Sequence, residues 1–288
     1  MKENDRDDDI KLPVHFKDAL AASAGRPFAF DHGDIRTLHF DECVIQSAMR
    51  ISAPRQLLLS YTRAMMAFML FKPQPLHIVM IGLGGGSLAK YCYDNLPETR
   101  ISVLEVDADV IALRGRFLIP DDDARFRIIH ADAVDAIAAM GTEAGATADV
   151  ILHDGYSADG LPSKLSTPAF YGACCRALSP GGVLVSNLWG EAVDLVPLMQ
   201  RLHAAFDARL WWCGAGGDVN RIVFSIKAGA PVAPAALLQK RAAQYDLRHD
   251  LFFCDLLDRL QHAGEKSAAA FEAMAGNDMR AAFMQLAN

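Results

Sequence analysis

Residues 77–95 read HIVMIGLGGGSLAKYCYDN, and residues 101–114 read ISVLEVDADVIALR. A short apolar run from His77 to Ile81 enters the turn Gly82-Leu83-Gly84-Gly85-Gly86, and a helical pattern opens at Ser87. A second apolar run then ends in an acid, Glu105. Strand, glycine turn, helix and strand in that order open a parallel α/β sheet, whose ligands bind beyond the carboxyl ends of the strands.

The alternation continues outward from this stretch. Further strands are expected at 126–130, 149–153, 182–188 and 221–227, with helical patterns at 87–95, 108–116, 133–139, 167–178 and 191–204. Repeated strand and helix imply right-handed crossovers and a mostly parallel sheet. Helices on both faces explain strands that are apolar along much of their length. Upstream, residues 26–50 read as short strands broken by turns at Asp31-His32-Gly33-Asp34 and Asp41-Glu42. PRQLLLSYTRAMMAFMLF, residues 54–71, reads as a largely buried helix opening at Pro54 and stopped by Pro73. After Lys227 the apolar residues fall three and four apart, again a helical pattern. The expected division is a mobile tail over 1–25, a small β-domain over 26–53, a nucleoside-binding domain over 54–230 and a helical extension over 231–288.

The chain has 288 residues, 52% of them hydrophobic and 22% charged, which is enough for a sizeable core. The net charge of −7 argues against a nucleic-acid surface and is compatible with a cationic substrate, as it is with many inert proteins. No apolar run reaches the roughly 20 residues that span a bilayer. The opening MKENDRDDDIK is charged where a secretory signal is apolar, so a cytoplasmic location is expected. Six cysteines and nine histidines show neither C-x-x-C nor H-E-x-x-H spacing, so reduced thiols and no metal site are expected.

The glycine turn narrows the ligand. A dinucleotide fingerprint needs glycine where Ser87 stands, and a phosphate-binding P-loop needs a lysine that GGGSL lacks. G-x-G-x-G followed about twenty residues later by an acid at a strand end suits a nucleoside without a phosphate chain. Glu105 is placed at an exposed strand end to accept from both ribose hydroxyls. Asp132, at the end of the next strand, is placed to accept from an adenine amino group or to cap the helix that starts at Ala133. Together these positions favour an adenosyl sulfonium ligand over a nicotinamide dinucleotide.

The order LHFDECVIQSAMR (38–50), LLSYTRAMM (58–66), GLGGGSL (82–88), LEVD (104–107), ADA (131–133) and DVILHDGYSADGLPSKLSTPAFYGACCRALSPGG (149–182) resembles the spermidine synthase family of polyamine aminopropyltransferases and its spermidine-synthase-like branch. The resemblance covers roughly residues 38–190. It implies a methyltransferase-like, Rossmann-like α/β fold with a mostly parallel sheet, a small N-terminal β-domain and a helical C-terminal extension. It also implies a transferase that moves an aminopropyl or related alkyl group from decarboxylated S-adenosylmethionine, or from S-adenosylmethionine, to a small amine. The donor would meet Gln46, Gly82, Gly84, Gly85, Gly86, Glu105, Asp132 and Ala133. The chemistry would fall to Asp154, Tyr156, Asp159 and Tyr61, without a metal, in a homodimer.

Departures from the family pattern keep two further readings open. The aspartate usual inside the glycine turn is absent between Gly82 and Leu88; it would favour the bare amine of the decarboxylated donor. Thr62 and Arg63 replace a histidine and a glutamate, and Ser157 replaces the second aspartate of a D-x-x-D motif, leaving Asp159 as a substitute if the loop is rearranged. Arg63 or Lys90 reaching the donor would favour intact S-adenosylmethionine, as in an N-methyltransferase. A non-catalytic nucleoside-binding relative is the other alternative. His153 is expected on the opposite strand face from Asp154, and Asn187 and Trp189 at the mouth of the site.

Overall fold

A computed structural model describes residues 15–41, 44–142, 147–190, 192–215 and 220–263. The extreme N-terminal tail and the helical pattern expected over 267–288 lie outside the described residues. The small domain comprises helix α1 (Phe16–Ser23) and strands β1 (Phe28–His32), β2 (Ile35–His39) and β3 (Ile45–Arg50), paired antiparallel in that order. Phe16 is buried against Phe28, Phe30 and His39, with ring centroids 5.6, 5.3 and 4.8 Å away. Residues 16–23, expected within a mobile tail, therefore pack as part of the β-domain.

The segment expected as one helix from Pro54 is shorter and broken. It forms α2 (Ser60–Met65) and α3 (Phe68–Phe71), joined through tight turns that bond each amide to the third carbonyl before it. Leu59 is extended, and Arg63 donates from Nη1 to the carbonyls of Leu57 and Leu58 at 2.9 and 2.8 Å. Those carbonyls are therefore turned to a side chain rather than into a helical ladder.

The main domain follows the expected alternation: β4 (His77–Ile81), α4 (Ser87–Asn95), β5 (Arg100–Glu105), α5 (Ala108–Ala112), β6 (Phe126–His130), α6 (Ala133–Met140), β7 (Ala148–His153), α7 (Pro168–Ala177), β8 (Leu178–Trp189) and α8 (Ala192–Ala205). The chain continues through β9 (Leu210–Gly214), β10 (Asn220–Ile226), α9 (Ala235–Asp246), α10 (Phe253–Arg259) and β11 (Gln261–Ala263). The sheet order is β11-β9-β10-β8-β7-β4-β5-β6. Strands β6, β5, β4, β7 and β8 run parallel, while β10, β9 and β11 add antiparallel pairings at one edge. The strand β9, LWWCG, was hidden from the sequence pattern by its shortness and lack of alternation. The described part of the expected C-terminal extension, residues 231–263, carries the helices α9 and α10, and β11 adds an edge strand after them.

Strand alternation divides the core between the two faces of the sheet. Ile78, Met80, Val103, Val150, Leu152 and Val185 pack beneath the helices α2 to α4, whereas Val79, Ile81, Leu104, Ile151 and Leu184 face α6 to α8. Sequence order reverses between β4 and β7, so the two strands end side by side while the chain leaves them for helices on opposite faces of the sheet. Such a reversal is where an open α/β sheet leaves a crevice for ligand.

Lys90 on α4 ties the two domains together. Its ammonium is fully buried and reaches the Phe117 carbonyl at 2.7 Å and the Met49 sulfur of β3 at 3.0 Å. Burial lowers its pKa to about 7. Between that value and the ordinary lysine range the unfolded chain holds a proton that the folded chain has released, so stability rises with pH across the interval. Chemical denaturation from about pH 7 to about pH 10 should show this rise. In Lys90→Met the rise should be smaller; an identical pH dependence in both proteins would contradict the assignment.

Candidate active site

A cleft of about 420 Å³ opens at the β4/β7 reversal, within the range of small-ligand sites. The glycine turn, the ends of β5, β7 and β8, helix α2 and strand β3 all contribute to its wall. Of the residues expected at the site, it gathers Gln46, Tyr61, Gly82, Gly84, Glu105, Asp154 and Tyr156. Asn187 and Trp189 also line it, with Asn187 buried and Trp189 about half exposed.

The glycines of the turn divide their work. Gly82 has φ +93°, and a Cβ there would lie 2.4 Å from the backbone oxygen of Asp154. A Cβ on Gly85 would meet Ser47 Oγ at 2.6 Å and the Phe117 ring at 2.9 Å, and one on Gly86 would meet Ile119 at 2.5 Å. These three admit the protein's own atoms. Gly84, at φ +50° with only Ser47 Cβ within 4 Å at 3.9 Å, is the member of the turn that leaves room beside the cleft. Gly85 and Gly86 are not among the cleft-lining residues.

Glu105 is buried, not exposed as its strand-end position implied. Its Oε2 accepts from the Leu83 amide at 2.8 Å and its Oε1 from the Asp107 amide at 2.9 Å. It thus braces the glycine turn while keeping lone pairs for the cleft. Asp132 and Ala133 do not line the cleft. Asp132 caps α6 through the Val134 amide at 2.9 Å and forms an ion pair with Lys164, and Ala133 is buried in the core.

At the other end of the cleft, alternation along β7 turns His153 away and Asp154 in. His153 is buried between Phe170 and Tyr171, and burial lowers its pKa to about 4. Asp154 Oδ1 accepts from Asn187 Nδ2 at 2.9 Å, and the Tyr61 hydroxyl also donates to its carboxylate. Burial pushes the Asp154 carboxyl above the usual carboxylate range, against the opposing effect of these two donors. Burial and the adjacent Asp154 charge raise the Tyr61 phenol, so it remains a donor.

The Tyr156 hydroxyl donates to the Asn187 carbonyl at 2.9 Å and accepts from the Trp189 amide at 2.8 Å, which pins the loop after β7 onto β8. Ser157 and Gly160 close a tight turn by pairing their backbones, and Asp159 is exposed within it, away from the cleft lining. Thr62 is buried with its hydroxyl on the Leu59 carbonyl. Arg63 and Lys90 are both engaged with backbone carbonyls, so neither supplies a cation to the cleft. Among the described residues of its lining, the charged ones are Glu105, Asp107 and Asp154, all acidic. Asp107 was not singled out from the sequence because it also reads as the cap of α5, which it is, accepting from the Asp109 amide at 2.8 Å.

This fold and cleft define a methyltransferase-like α/β protein with a glycine turn and an acidic cleft at the strand ends. No family model matches the chain. The polyamine aminopropyltransferase of Chromobacterium violaceum is 34% identical over 239 residues, 83% of this chain and 90% of that protein. The chain belongs to the polyamine aminopropyltransferase family. Human methyltransferase-like protein 13, solved in complex with SAH, superposes with a TM-score of 0.60 at 26% identity, covering 66% of this chain and 93% of that one. A spermidine synthase solved with the transition state analogue AdoDATO superposes with a TM-score of 0.58 over 85% of this chain and 84% of that one; at 17% identity it shows the shared fold.

The double bracing by Glu105 changes what its replacement should do. Glu105→Gln leaves either the Leu83 amide of the turn or the Asp107 amide facing an NH2 group, and a buried donor without an acceptor costs about 1–3 kcal/mol. The urea midpoint should fall accordingly, measured without ligand. An unchanged midpoint would mean that the turn holds its shape without the carboxylate.

Proposed function

We propose that the protein transfers an aminopropyl group from decarboxylated S-adenosylmethionine to a small amine. The observation that carries the donor assignment is the sign of the cleft: its charged lining residues are acids, and the nearby cations are turned into the protein. Such a lining attracts a sulfonium and an ammonium and disfavours the carboxylate of the intact donor. Family membership supports aminopropyl transfer. Gln46, Gly84 and Glu105 form the donor half, with Glu105 offering its remaining lone pairs to ribose hydroxyls. Asp132 would join the donor site only by exchanging Lys164 for the adenine amino group.

Asp154, Tyr61 and Tyr156 form the reacting half. An amine nitrogen attacks the carbon next to sulfur; the N–C bond forms as the C–S bond breaks, and the electron pair leaves on sulfur in methylthioadenosine. An alkyl ammonium has a pKa near 10, so the nucleophile must first lose a proton. Asp154 orients it and accepts that proton, helped by the burial that raises its carboxyl. The ring faces of Tyr61 and Tyr156 stabilise the cationic centres. Asp159, exposed outside the cleft, is assigned no direct contact in the state described. A homodimer in the cytoplasm completes the reading; the exposed Leu247 and Phe252 beside the C-terminal helices offer apolar surface for association.

Calorimetry with decarboxylated S-adenosylmethionine, the intact form and methylthioadenosine tests the donor. The decarboxylated form should bind at least about tenfold more tightly than the intact one, a difference of about 1.4 kcal/mol. Equal or tighter binding of the intact donor would favour the N-methyltransferase reading, which the missing aspartate in the glycine turn keeps available.

Asp154→Asn should lower kcat by about 10²–10⁴-fold with little change in donor affinity. Because the folded carboxyl binds its proton more tightly than the unfolded one, Asp154 lowers stability above its folded pKa, and this penalty fades as pH falls through that value. The Asn variant should therefore be more stable than the parent at neutral pH and lose that advantage in acid. Thermal denaturation at both pH values would expose the opposite order.

A further inference from the structure

The Asp154 hydrogen bonds continue beyond the residue that touches it. Asn187 donates from Nδ2 to Asp154 Oδ1 at 2.9 Å, and Asn220 Nδ2 donates to Asn187 Oδ1 at 2.8 Å. The period of two along three strands creates this line. Asp154 stands one residue past the end of β7, two beyond Leu152; Asn187 follows Val185 by two on β8, and Asn220 precedes Ile222 by two on β10; those apolar residues share one core cluster. In the antiparallel register Asn187 lies opposite Ile222, which places Asn220 on the neighbouring step of the same face.

An asparagine amide has nearly the same shape in either orientation, so its partners decide which end faces where. A carboxylate only accepts hydrogen bonds. Were Asn187 reversed with Asn220 held as it is, its oxygen would face the Asp154 carboxylate and its NH2 group would face the NH2 group of Asn220. Two unfavourable contacts would replace two hydrogen bonds. Asn187 is buried, so solvent offers little compensation. The Asn187 carbonyl already accepts from Tyr156, which fixes the strand end but leaves the side-chain amide free to turn.

We propose that Asn220 is a positioning residue for the transfer: by donating to Asn187 it fixes that amide with its nitrogen toward Asp154, and so holds the carboxylate in its proton-accepting direction. This assignment rests on the aminopropyl-transfer reading for its catalytic consequence, while the amide geometry stands independently of it. The titratable groups facing Asp154 among the described residues are Tyr61 from α2 and Tyr156 from its own loop. The glycine turn, β8 and β10 present uncharged groups there, with Asn187 and Asn220 the polar ones.

The test uses full-length protein, carboxyl-labelled aspartate for NMR titration, and Asp154→Asn to assign the Asp154 signal. Steady-state transfer is measured with decarboxylated S-adenosylmethionine and 1,4-diaminobutane. In Asn220→Leu, which keeps the branched shape in a larger side chain and removes the donor, the Asp154 midpoint should rise by about one unit. Its kcat should fall about tenfold while the donor KM stays within about twofold. Asn220→Asp, which draws the Asn187 nitrogen toward itself, should raise the midpoint further, and Asn220→Gln should recover part of kcat. A Leu variant that folds and titrates like the parent overturns the proposal, as does a Leu variant that loses stability and activity without a shift in the midpoint. If the Leu variant does not fold, Asn220→Ala, which removes the donor without adding a charge, takes its place, and an unshifted midpoint there overturns the proposal. Failure of the unmodified protein to transfer an aminopropyl group would refute the functional reading instead, and the carboxyl titration would still decide the role of Asn220.

Discussion

Strands β4 and β7 end against each other, and Gly82 has to pass beneath Asp154. The Ile81 carbonyl accepts the Asp154 amide at 3.0 Å, and the Leu104 carbonyl accepts the Gly82 amide at 2.9 Å. Three strand ends are thereby laced by backbone hydrogen bonds, and the space left at residue 82 has no room for a side chain. A Cβ there would push on the backbone of Asp154 itself, so the glycine turn and the reacting carboxylate cannot be positioned separately. Glu105 extends the same lacing on the other side by holding the Leu83 amide. What looks like one ligand loop is a junction through which donor site and reacting site share their geometry.

Much of that junction was legible because strand and helix periodicities are local. The strands at 77–81 and 126–130 have the bounds their apolar runs indicated, and alternation placed His153 and Asp154 on opposite faces. Side chains whose direction depends on a distant partner were not legible. Arg63 and Lys90 look like free cations in the sequence, yet the Leu57 and Phe117 carbonyls hold them. Asp132 could contact adenine or cap a helix, and its distant partner Lys164 is what engages its remaining oxygen. Phe16 joins the β-domain through rings on two strands, a contact no pattern within residues 1–25 reveals. Asn220 was missed for a related reason: its neighbouring strand β9 was unseen, so nothing indicated which residues β10 would bring beside β8.

The electrostatic character of the cleft likewise comes from where charges are paired, not from how many there are. Away from it, acids meet cations: Asp31 with Arg36, Asp122 with Arg114, Asp149 with Lys72 and Asp132 with Lys164. Inside it, Glu105 is held by two backbone amides, and Asp154 by an asparagine and a tyrosine. A cationic partner would fix a carboxylate equally well but would cancel its field. Neutral donors fix it and leave the negative charge available to whatever enters.

That choice has a consequence for stability. A carboxylate desolvated without a cation raises the free energy of the folded state, and hydrogen bonds offset only part of the cost. The raised Asp154 carboxyl is the direct sign of the remainder. The same desolvation increases its proton affinity, so it becomes a better base for an ammonium that must lose a proton before it reacts. A cationic ligand supplies the missing counter-charge, so the electrostatic penalty in the empty cleft becomes attraction when the site fills. The fold tolerates this local cost because the apolar faces of the sheet on both sides of β7 are fully packed. Asp154 thus stands directly at the end of one of the most firmly buried strands, where its direction can be set by neighbours that contribute no charge of their own.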